Sequence, residues 1–265
     1  MSITITDKSK IARVLEVSNI AQADMQELIG NYVPARSLHG LPSLQMPVEA
    51  TVFISPERNR PHGSGVIVEH NGEKYLVTAT HILGQKCIGK PTNLKVFERH
   101  GEKIEAIDLE SMAMIYSSPL AHQKNLPVAD LGIFAYNGNI RCVDVAEIPT
   151  TQLAVAVGYP GYFADRWLTD LSPLASIGNA FVPEERRKIL TPYMQKLLEE
   201  HDLTDAPESI GKIVFTGVTQ GGNSGGGLFT LDGKLMGICR GPEGSIGKET
   251  GNHEFYMLKK VLDSL

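Results

Sequence analysis

The sequence predicts an all-β protein with a helical N-terminal extension, one helical insertion and a C-terminal helix. Short runs rich in valine and isoleucine follow residue 46 and are separated by glycine pairs, a pattern typical of strands joined by tight turns. Before residue 46, apolar residues recur at helical spacing in Lys8–Val17 and Ala21–Ile29. A globular chain is expected, because 42% of the 265 residues are hydrophobic and 21% are charged.

About a dozen strands are predicted by these runs. Asn71-Gly72 joins two of them as a hairpin, since both central positions of such a turn favour positive φ, and Asp232-Gly233 joins another pair. The strands predicted from the runs are Val48–Ser55, Gly65–His70, Lys74–Ala79, Asn93–Glu98, Lys103–Leu109, Met112–Ser117, Gly132–Tyr136, Leu153–Gly158, Lys212–Thr216, Leu228–Thr230 and Lys234–Cys239.

Two further segments have helical patterns. Pro183–Glu200 is one, and Thr191-Pro192 inside it is typical of an N-cap followed by proline at the first helical position. Two short helices are therefore expected there. The other segment is Met257–Leu265, where we expect the C-terminal helix.

Charge and targeting signals narrow the expected partners. The formal net charge is −5, and the densest charged run, 184–188, mixes acids with bases. Nucleic acid is therefore not an expected partner. The first residues lack the basic start and apolar stretch of a signal peptide, and no run approaches a membrane span. A cytoplasmic protein without a membrane partner is expected.

Cysteine and histidine spacing argues against disulfides and metals. Cys87, Cys142 and Cys239 are far apart, odd in number and free of Cys-x-x-Cys spacing, so neither a disulfide framework nor a zinc knuckle is predicted. The eight histidines include no His-Glu-x-x-His motif or comparable cluster. We expect no metal and no cofactor.

The chemistry is concentrated in Gly221–Gly227, where Ser224 stands among glycines directly before a predicted strand. A nucleophilic hydroxyl needs an exposed tight turn, and two backbone N–H groups must converge where an oxyanion forms, which side chains would obstruct. A phosphate-binding loop is the alternative. That loop needs a Lys-Ser ending and a following helix, whereas Leu228–Thr230 continues as strand. The pattern favours a serine nucleophile.

A base and an orienting acid for this serine are present elsewhere in the chain. His81 ends the apolar strand that begins at Leu76, and Asp130 directly precedes another apolar strand. Taken alone, either residue has a structural interpretation, as a strand-end histidine or a strand cap. Together with Ser224 they supply the base, the acid and the nucleophile that acyl transfer requires.

These motifs resemble those of the chymotrypsin-like (trypsin-like) serine peptidases, especially bacterial members such as the high-temperature-requirement proteases. Residues 78–81, TATH, match the family's Thr-Ala-x-His, and residues 222–226, GNSGG, match its Gly-Asp/Asn-Ser-Gly-Gly. Asp130-Leu131 matches an aspartate followed by an apolar residue, and residues 63–66, GSGV, resemble the opening of the strand before the histidine hairpin. The resemblance covers about residues 47–262.

The resemblance implies two six-stranded antiparallel β-barrels with the substrate in the cleft between them. His81 and Asp130 would lie on the first barrel and Ser224 on the second. The implied organisation is an N-terminal extension over 1–46, a first barrel over 47–145, and a second barrel over 146–265 that includes the helical segment 183–201 and the C-terminal helix.

The resemblance also implies a function, that of a serine endopeptidase acting on protein or peptide substrates through an acyl-enzyme intermediate. Ser224 would attack the scissile carbonyl, His81 would carry its proton, and Asp130 would orient the imidazole. The N–H groups of Gly222 and Ser224 fall at the family's oxyanion-hole positions.

Departures from the family pattern bear on regulation. Ile82 stands where secreted animal members have a half-cystine, which favours a reducing compartment. Asn223 replaces the aspartate that binds a newly cut N-terminus in animal members, so another route of activation is expected, through a protein partner or a conformational change. The segment 183–201 is either a lid that switches the site on or a packed surface helix pair.

Specificity is indicated by three residues. The family's pocket-base position is Val218, which favours a small or apolar residue before the cut and disfavours trypsin-type preference. Residues 237–241 resemble the strand along which a substrate backbone pairs, and Gly241 ends this run. Arg240 in it would either favour an acidic residue or be a solvated arginine at a strand end.

Two other functions use the same residues. One is a binding or scaffold protein that keeps the fold with a silenced site. The other is an acyl transferase or esterase with the same triad, which peptide and ester substrates would separate.

Overall fold

Two sheets form the body of the protein in the computed structural model, and their strands are antiparallel except for a short parallel pairing at Val143–Asp144. The structure describes residues 14–57, 62–83, 93–100, 103–118, 130–147, 151–161, 171–182, 196, 199–200, 212–242 and 253–265. The strands in chain order are β1 (Tyr32–Pro34), β2 (Thr51–Ser55), β3 (Gly63–His70), β4 (Glu73–Thr78), β5 (Lys95–His100), β6 (Lys103–Asp108), β7 (Met114–Ser117), β8 (Gly132–Ala135), β9 (Val143–Asp144), β10 (Gln152–Gly158), β11 (Leu174–Phe181), β12 (Lys212–Phe215), β13 (Gly227–Phe229), β14 (Leu235–Pro242) and β15 (His253–Met257).

Helices in the described residues are few and short. Two α-helices have both of their ends within the described residues, namely α1 (Gln45–Ala50) and α2 (Lys259–Leu262). None of the helices in the described ranges is long and apolar enough to cross a membrane. The 3₁₀-helices cover Gln22–Leu28, Ala35–Gly40, Pro42–Leu44, Thr80–Leu83 and Leu109–Ser111.

The first sheet has the strand order β6-β5-β2-β3-β4-β8-β7, and β9 pairs with β3. Its β3–β4 hairpin turns at Asn71 and Gly72, whose φ angles are +53° and +81°, which confirms the predicted turn. Within the described residues its two outer strands do not pair with each other. Over these residues the sheet is therefore not closed into a ring.

The second sheet closes into a ring. Its order is β11-β10-β13-β14-β15-β12, and β12 pairs back to β11 through Ala180 and Phe181. The closed ring has six strands, the number predicted for a barrel. In addition, β1 pairs with the start of β11, with Tyr32 opposite Ser176, so a strand from the N-terminal segment extends this sheet.

One cluster of buried apolar side chains joins the two sheets to the N-terminal segment. It contains Val77 and Ile133 of the first sheet, Val155 and Ile177 of the second, and Ile20 from the N-terminal segment. Burying each such side chain stabilises the fold by about 1.5–3 kcal/mol. The N-terminal segment therefore belongs to the same core as the sheets.

The predicted N-terminal helices differ from the observed structure. The prediction over Lys8–Val17 is wrong for residues 14–17, because Val14 forms a bridge with Tyr32 and is extended; the earlier part lies outside the described residues. The prediction over Ala21–Ile29 coincides with a helix, but Gln22–Leu28 is 3₁₀. The tighter helix hydrogen-bonds three residues apart and leaves only Met25 buried.

Two other elements begin at residues different from those predicted, and one predicted segment lies largely outside the described residues. The strand predicted from Val48 starts at Thr51, because α1 occupies the residues before it. Met257 is the last residue of β15, so the C-terminal helix begins later than predicted. Of the insertion 183–201, only residues 196 and 199–200 are described, and these are helical.

Replacing Phe215 by alanine should destabilise the second sheet. The Phe215 ring is fully buried and packs edge-to-face on Phe255, with ring centroids 5.6 Å apart. We expect a loss of about 3–5 kcal/mol in the free energy of unfolding, measured by urea titration. As a control, Ile115→Ala, at a side chain that is 47% exposed, should change stability by less than about 0.5 kcal/mol. Equal effects of the two changes would contradict this assignment of the core.

Candidate active site

The ladder between β4 and β8 brings His81 and Asp130 together. Its last residue pair is Thr78 opposite Gly132. His81 follows Thr78 by three residues, and Asp130 precedes Gly132 by two, so an antiparallel pairing leaves them facing each other. The Thr80 N–H continues the ladder by donating to the Asp130 carbonyl at 3.3 Å.

The Asp130 carboxylate contacts His81 twice. The imidazole Nδ1 lies 2.5 Å from Oδ2, and the His81 backbone N–H donates to Oδ1 at 3.0 Å. Asp130 is 1% exposed, whereas the His81 side chain is 36% exposed. The buried carboxylate therefore orients the ring with Nδ1 toward the protein and leaves its other edge accessible.

Ser224 lies in a tight loop between β12 and β13 that requires glycine at two positions, 222 and 225. Gly222 and Gly225 have φ angles of +98° and +84°, a region that side chains strongly disfavour. A Cβ on Gly225 would lie 2.0 Å from the Ser64 carbonyl oxygen. The loop consequently packs its backbone directly on β3.

Ser64 fastens this loop to the first sheet. Its N–H donates to the Ser224 carbonyl at 2.8 Å, and its hydroxyl donates to the Gly222 carbonyl at 2.8 Å. The same hydroxyl accepts the Tyr159 N–H at 3.0 Å, and the Ser64 carbonyl accepts the Thr78 hydroxyl at 2.6 Å. Ser64 is fully buried, so these hydrogen bonds are shielded from water.

Two backbone N–H groups of the loop, those of Gly222 and Ser224, donate to no acceptor within the described ranges. The direction of the first follows from its peptide bond. The Gly221 carbonyl accepts the Gly161 N–H at 2.7 Å, and the C=O and N–H of a trans peptide point in opposite directions. The Gly222 N–H therefore points away from Gly161 and is available to an external acceptor.

The Ser224 hydroxyl donates to the carbonyl of Arg240 at 3.3 Å. Within the part of the chain that the structure describes, no hydrogen bond joins it to His81. The Arg240 side chain is 13% exposed, and its Nε lies 3.7 Å from Asp130 Oδ2. Arg240 therefore contacts the serine through its backbone and the aspartate through its side chain.

The β14–β15 pairing explains this position of Arg240. The register shifts between Cys239 and Gly241, so Arg240 sits in a bulge, and a bulge redirects the side chain it contains. Gly241 itself pairs with Glu254. The guanidinium is thereby directed at a buried carboxylate.

Val218 precedes the glycine loop and is held by β11. Its N–H donates to the Ser176 hydroxyl at 2.7 Å, and its side chain packs against Tyr32 and Leu174. These contacts place Val218 beside β1 and the start of β11.

Two residues that contact the loop are not among the predicted site residues. Ser64 has one signal in the sequence, the GSGV motif that contains it. Tyr32 had no signal: its hydroxyl accepts a hydrogen bond from Asn223 Nδ2 at 2.9 Å, across 191 sequence positions. Among the residues that are described, no group of three or more His, Cys, Asp or Glu side chains is placed to hold a metal ion.

Placing alanine at Gly225 should destabilise the protein more than placing it at Gly72. Both positions have positive φ, so each substitution costs about 1–2 kcal/mol of backbone strain. Gly72 has nothing within 4 Å of a new Cβ, whereas Gly225 faces the Ser64 carbonyl. Overpacking should add about 1–3 kcal/mol at Gly225, measured by urea unfolding. Equal losses for the two variants would show that the loop does not pack on β3.

Comparison with known proteins identifies the family and the fold of this chain. The family model of the trypsin-like peptidase domain matches residues 63–238. No sequence among the curated proteins matches this one significantly. Among solved structures, the chain is similar to an HtrA-type protease, AlgW with a tripeptide, at 17% identity and a TM-score of 0.54, over 83% of this chain and 60% of that chain.

Two further solved structures have the same fold. The serine protease domain of the Sesbania mosaic virus polyprotein is 16% identical, with a TM-score of 0.53 over 82% of this chain and 92% of that one. An inactive form of Rv3671c from M. tuberculosis is 16% identical, with a TM-score of 0.51 over 87% and 91% of the two chains. The family resemblance read from the motifs is therefore confirmed. Since the family model covers more than half of the sequence, this chain belongs to the trypsin-like peptidase domain family.

Proposed function

We propose that this protein is a serine endopeptidase in which His81, Asp130 and Ser224 form the catalytic triad. The observation that carries the proposal is the His81–Asp130 pair, in which a buried carboxylate holds the imidazole through two hydrogen bonds. Arg240 links this pair to Ser224, because its Nε lies 3.7 Å from Asp130 Oδ2 and its carbonyl accepts the Ser224 hydroxyl. Membership of the trypsin-like peptidase family supports a peptidase function.

In the proposed acylation step, each residue of the triad has one role. Ser224 Oγ attacks the scissile carbonyl carbon while His81 Nε2 takes its proton, and Asp130 stabilises the resulting imidazolium. The N–H groups of Gly222 and Ser224 stabilise the oxyanion, an effect worth about 100- to 1,000-fold in turnover for each donor. The intermediate then expels the amine, which receives the proton from His81, and leaves an ester on Ser224.

Deacylation would repeat the sequence with water. His81 takes a proton from the water as its oxygen attacks the ester carbonyl, and the same N–H groups hold the second oxyanion. Collapse of that intermediate releases the carboxylic acid product. The proton on His81 returns to Ser224 Oγ, which restores the starting state.

The hydrogen bond between Ser224 and the Arg240 carbonyl suggests how substrate engages the site. β13 pairs with β14 only as far as Ile238, and no described strand continues that side of the sheet after Cys239. A substrate backbone pairing along this edge would offer an N–H to the Arg240 carbonyl. The Ser224 hydroxyl would then be released and turn toward His81. An activating partner would act on the same step.

Two predicted specificity residues support a small or apolar residue before the cut. Val218 carries no charge and packs on Tyr32 and Leu174. The Arg240 guanidinium already lies beside Asp130, so its charge is compensated within the protein. An acidic substrate residue would have to compete with that buried carboxylate for it.

Labelling with a fluorophosphonate probe tests the proposed nucleophile. The folded wild-type protein should gain the mass of one adduct, and Ser224→Ala should gain none, because only an activated serine reacts with the probe. Ser224→Ala should also lower peptide turnover by about a million-fold if the three groups act as a unit. Intact-mass spectrometry gives the first result and peptide hydrolysis the second.

The control for this labelling is Ser111→Ala, which removes an exposed serine hydroxyl whose one hydrogen bond within the described residues is to the nearby Asp108 carbonyl. It should label as the wild type does. Failure of the folded wild-type protein to label would rule out a peptidase that is active without a partner, and would leave either a binding protein with a silenced site or a site that requires its activator. Labelling together with hydrolysis of esters but not peptides would replace endopeptidase with esterase or acyl transferase.

Cleavage of a peptide library should show the expected specificity. Peptides with alanine or valine before the cut should be cleaved faster than those with aspartate, glutamate, lysine or arginine, because the pocket position is apolar. Mass spectrometry of the products measures the preference. A preference for acidic residues that disappears in Arg240→Gln would instead establish Arg240 as the specificity residue.

A further inference from the structure

The hydroxyl of Tyr32 reaches the loop that carries Ser224 from a distant part of the chain. It accepts a hydrogen bond from Asn223 Nδ2 at 2.9 Å, and the backbone of Gln220 also hydrogen-bonds to it. Tyr32 is 0% exposed and Asn223 is 4% exposed. Burial raises the pKa of Tyr32 well above its usual value, against the opposing effect of those two hydrogen bonds. The phenol therefore stays neutral at physiological pH.

Asn223 has no other side-chain partner in the described ranges. Its Oδ1 is buried and accepts no hydrogen bond, so the contact with Tyr32 is what holds the amide in place. Without it, both polar atoms of the side chain would be buried and unpaired, which proteins avoid. The orientation of Asn223 thus depends on Tyr32.

Asn223 stands between the two residues whose N–H groups we propose as the oxyanion hole. Its own N–H donates to the Gln220 carbonyl at 3.0 Å, and its carbonyl accepts the Gly226 N–H at 2.8 Å. Rotation of the peptide bonds on either side of Asn223 would redirect the N–H groups of its neighbours. A side-chain anchor at this position therefore restrains the direction of the Ser224 N–H.

Tyr32 is itself held rigidly by its strand. β1 pairs with β11, and the Tyr32 carbonyl accepts the Leu15 N–H at 2.8 Å. The Tyr32 ring packs with Leu174, Val14 and Val218. The second sheet thus holds Tyr32 in place, and Tyr32 belongs to the N-terminal segment, residues 14–34.

We propose that Tyr32 is a positioning residue for the nucleophile loop, acting through Asn223, and that the N-terminal segment which carries it is a working part of the active site. The residue touches neither substrate nor reacting atoms. It restrains the loop so that the N–H groups of Gly222 and Ser224 point at one oxyanion. The inference rests on the proposed function, since it assigns Tyr32 a part in that site.

The test compares Tyr32→Phe with Tyr136→Phe. Tyr136 serves as the control, because its hydroxyl is also buried and accepts a backbone N–H, that of Ile140, while the residue itself directly follows β8 of the first sheet. Tyr32→Phe should slow fluorophosphonate labelling and kcat by about 10- to 100-fold, with KM changed by less than about threefold. Tyr136→Phe should leave labelling and kcat near the wild-type values. A merely structural role would lower stability in both variants and slow labelling in neither.

Hydrogen exchange on the same proteins gives a readout that does not need catalysis. Peptides covering residues 220–226 should exchange their amide hydrogens faster in Tyr32→Phe than in the wild type. In Tyr136→Phe the same peptides should exchange at the wild-type rate. Wild-type protein that fails to label, combined with faster loop exchange in Tyr32→Phe, would count against the proposed function while supporting the anchor. Unchanged loop exchange together with labelling at the wild-type rate in folded Tyr32→Phe would overturn the anchor.

A second variant breaks the same hydrogen bond from the loop side. Asn223→Ala should slow labelling by a similar factor, and the double variant should be no slower than the slower single variant, because both changes remove one interaction. Rate losses that multiply in the double variant would show that the two residues act independently and would refute the proposal. If Tyr32→Phe proves too unstable to measure, Asn223→Ala decides the question by itself: slower labelling with faster exchange over residues 220–226 would support the anchor, and wild-type values of both would refute it.

Discussion

The hydrogen bonds of Ser64 to the glycine loop are the constraint on which the arrangement of the site depends. Ser224 belongs to the second sheet, whereas His81 and Asp130 belong to the first, and the two are joined where Ser64 bonds to the carbonyls of Ser224 and Gly222. Because these bonds are buried, the loop cannot exchange them for water at low cost. The close approach also explains why Gly225 has no side chain, since a Cβ would overlap the β3 backbone.

Around this junction, each group of the site is held by a different kind of contact. The His81 ring is oriented by a buried carboxylate, and the Ser224 hydroxyl by the carbonyl of Arg240. The loop that carries Ser224 is anchored to Tyr32 by the hydrogen bond from Asn223. The site therefore draws on both sheets and on the N-terminal segment, which shares one apolar core with them. A change at any of these supports would act on the geometry of the loop without removing a reacting group.

Prediction from the sequence succeeded where local pattern determines structure. The Asn71-Gly72 hairpin, most strands after residue 46 and the trypsin-like fold are confirmed, while the proposed triad stays a prediction. The pattern does not predict β11, because Gly178 and Asn179 disfavour strands in isolation. Gly178 is tolerated there for a tertiary reason: a Cβ would lie 2.2 Å from the Gly217 nitrogen of a neighbouring segment.

By itself, the sequence determined the alternating strands, the positive-φ turns and the residue types that a serine nucleophile, a base and an acid require. Those properties depend on a few neighbouring positions, so they can be read locally. Only the tertiary structure decided that Arg240 lies against Asp130 and that Tyr32 contacts Asn223. The first contact depends on a bulge in β14, and the second on the pairing of β1 with β11. Such contacts are set by sheet register over distances that no local pattern encodes.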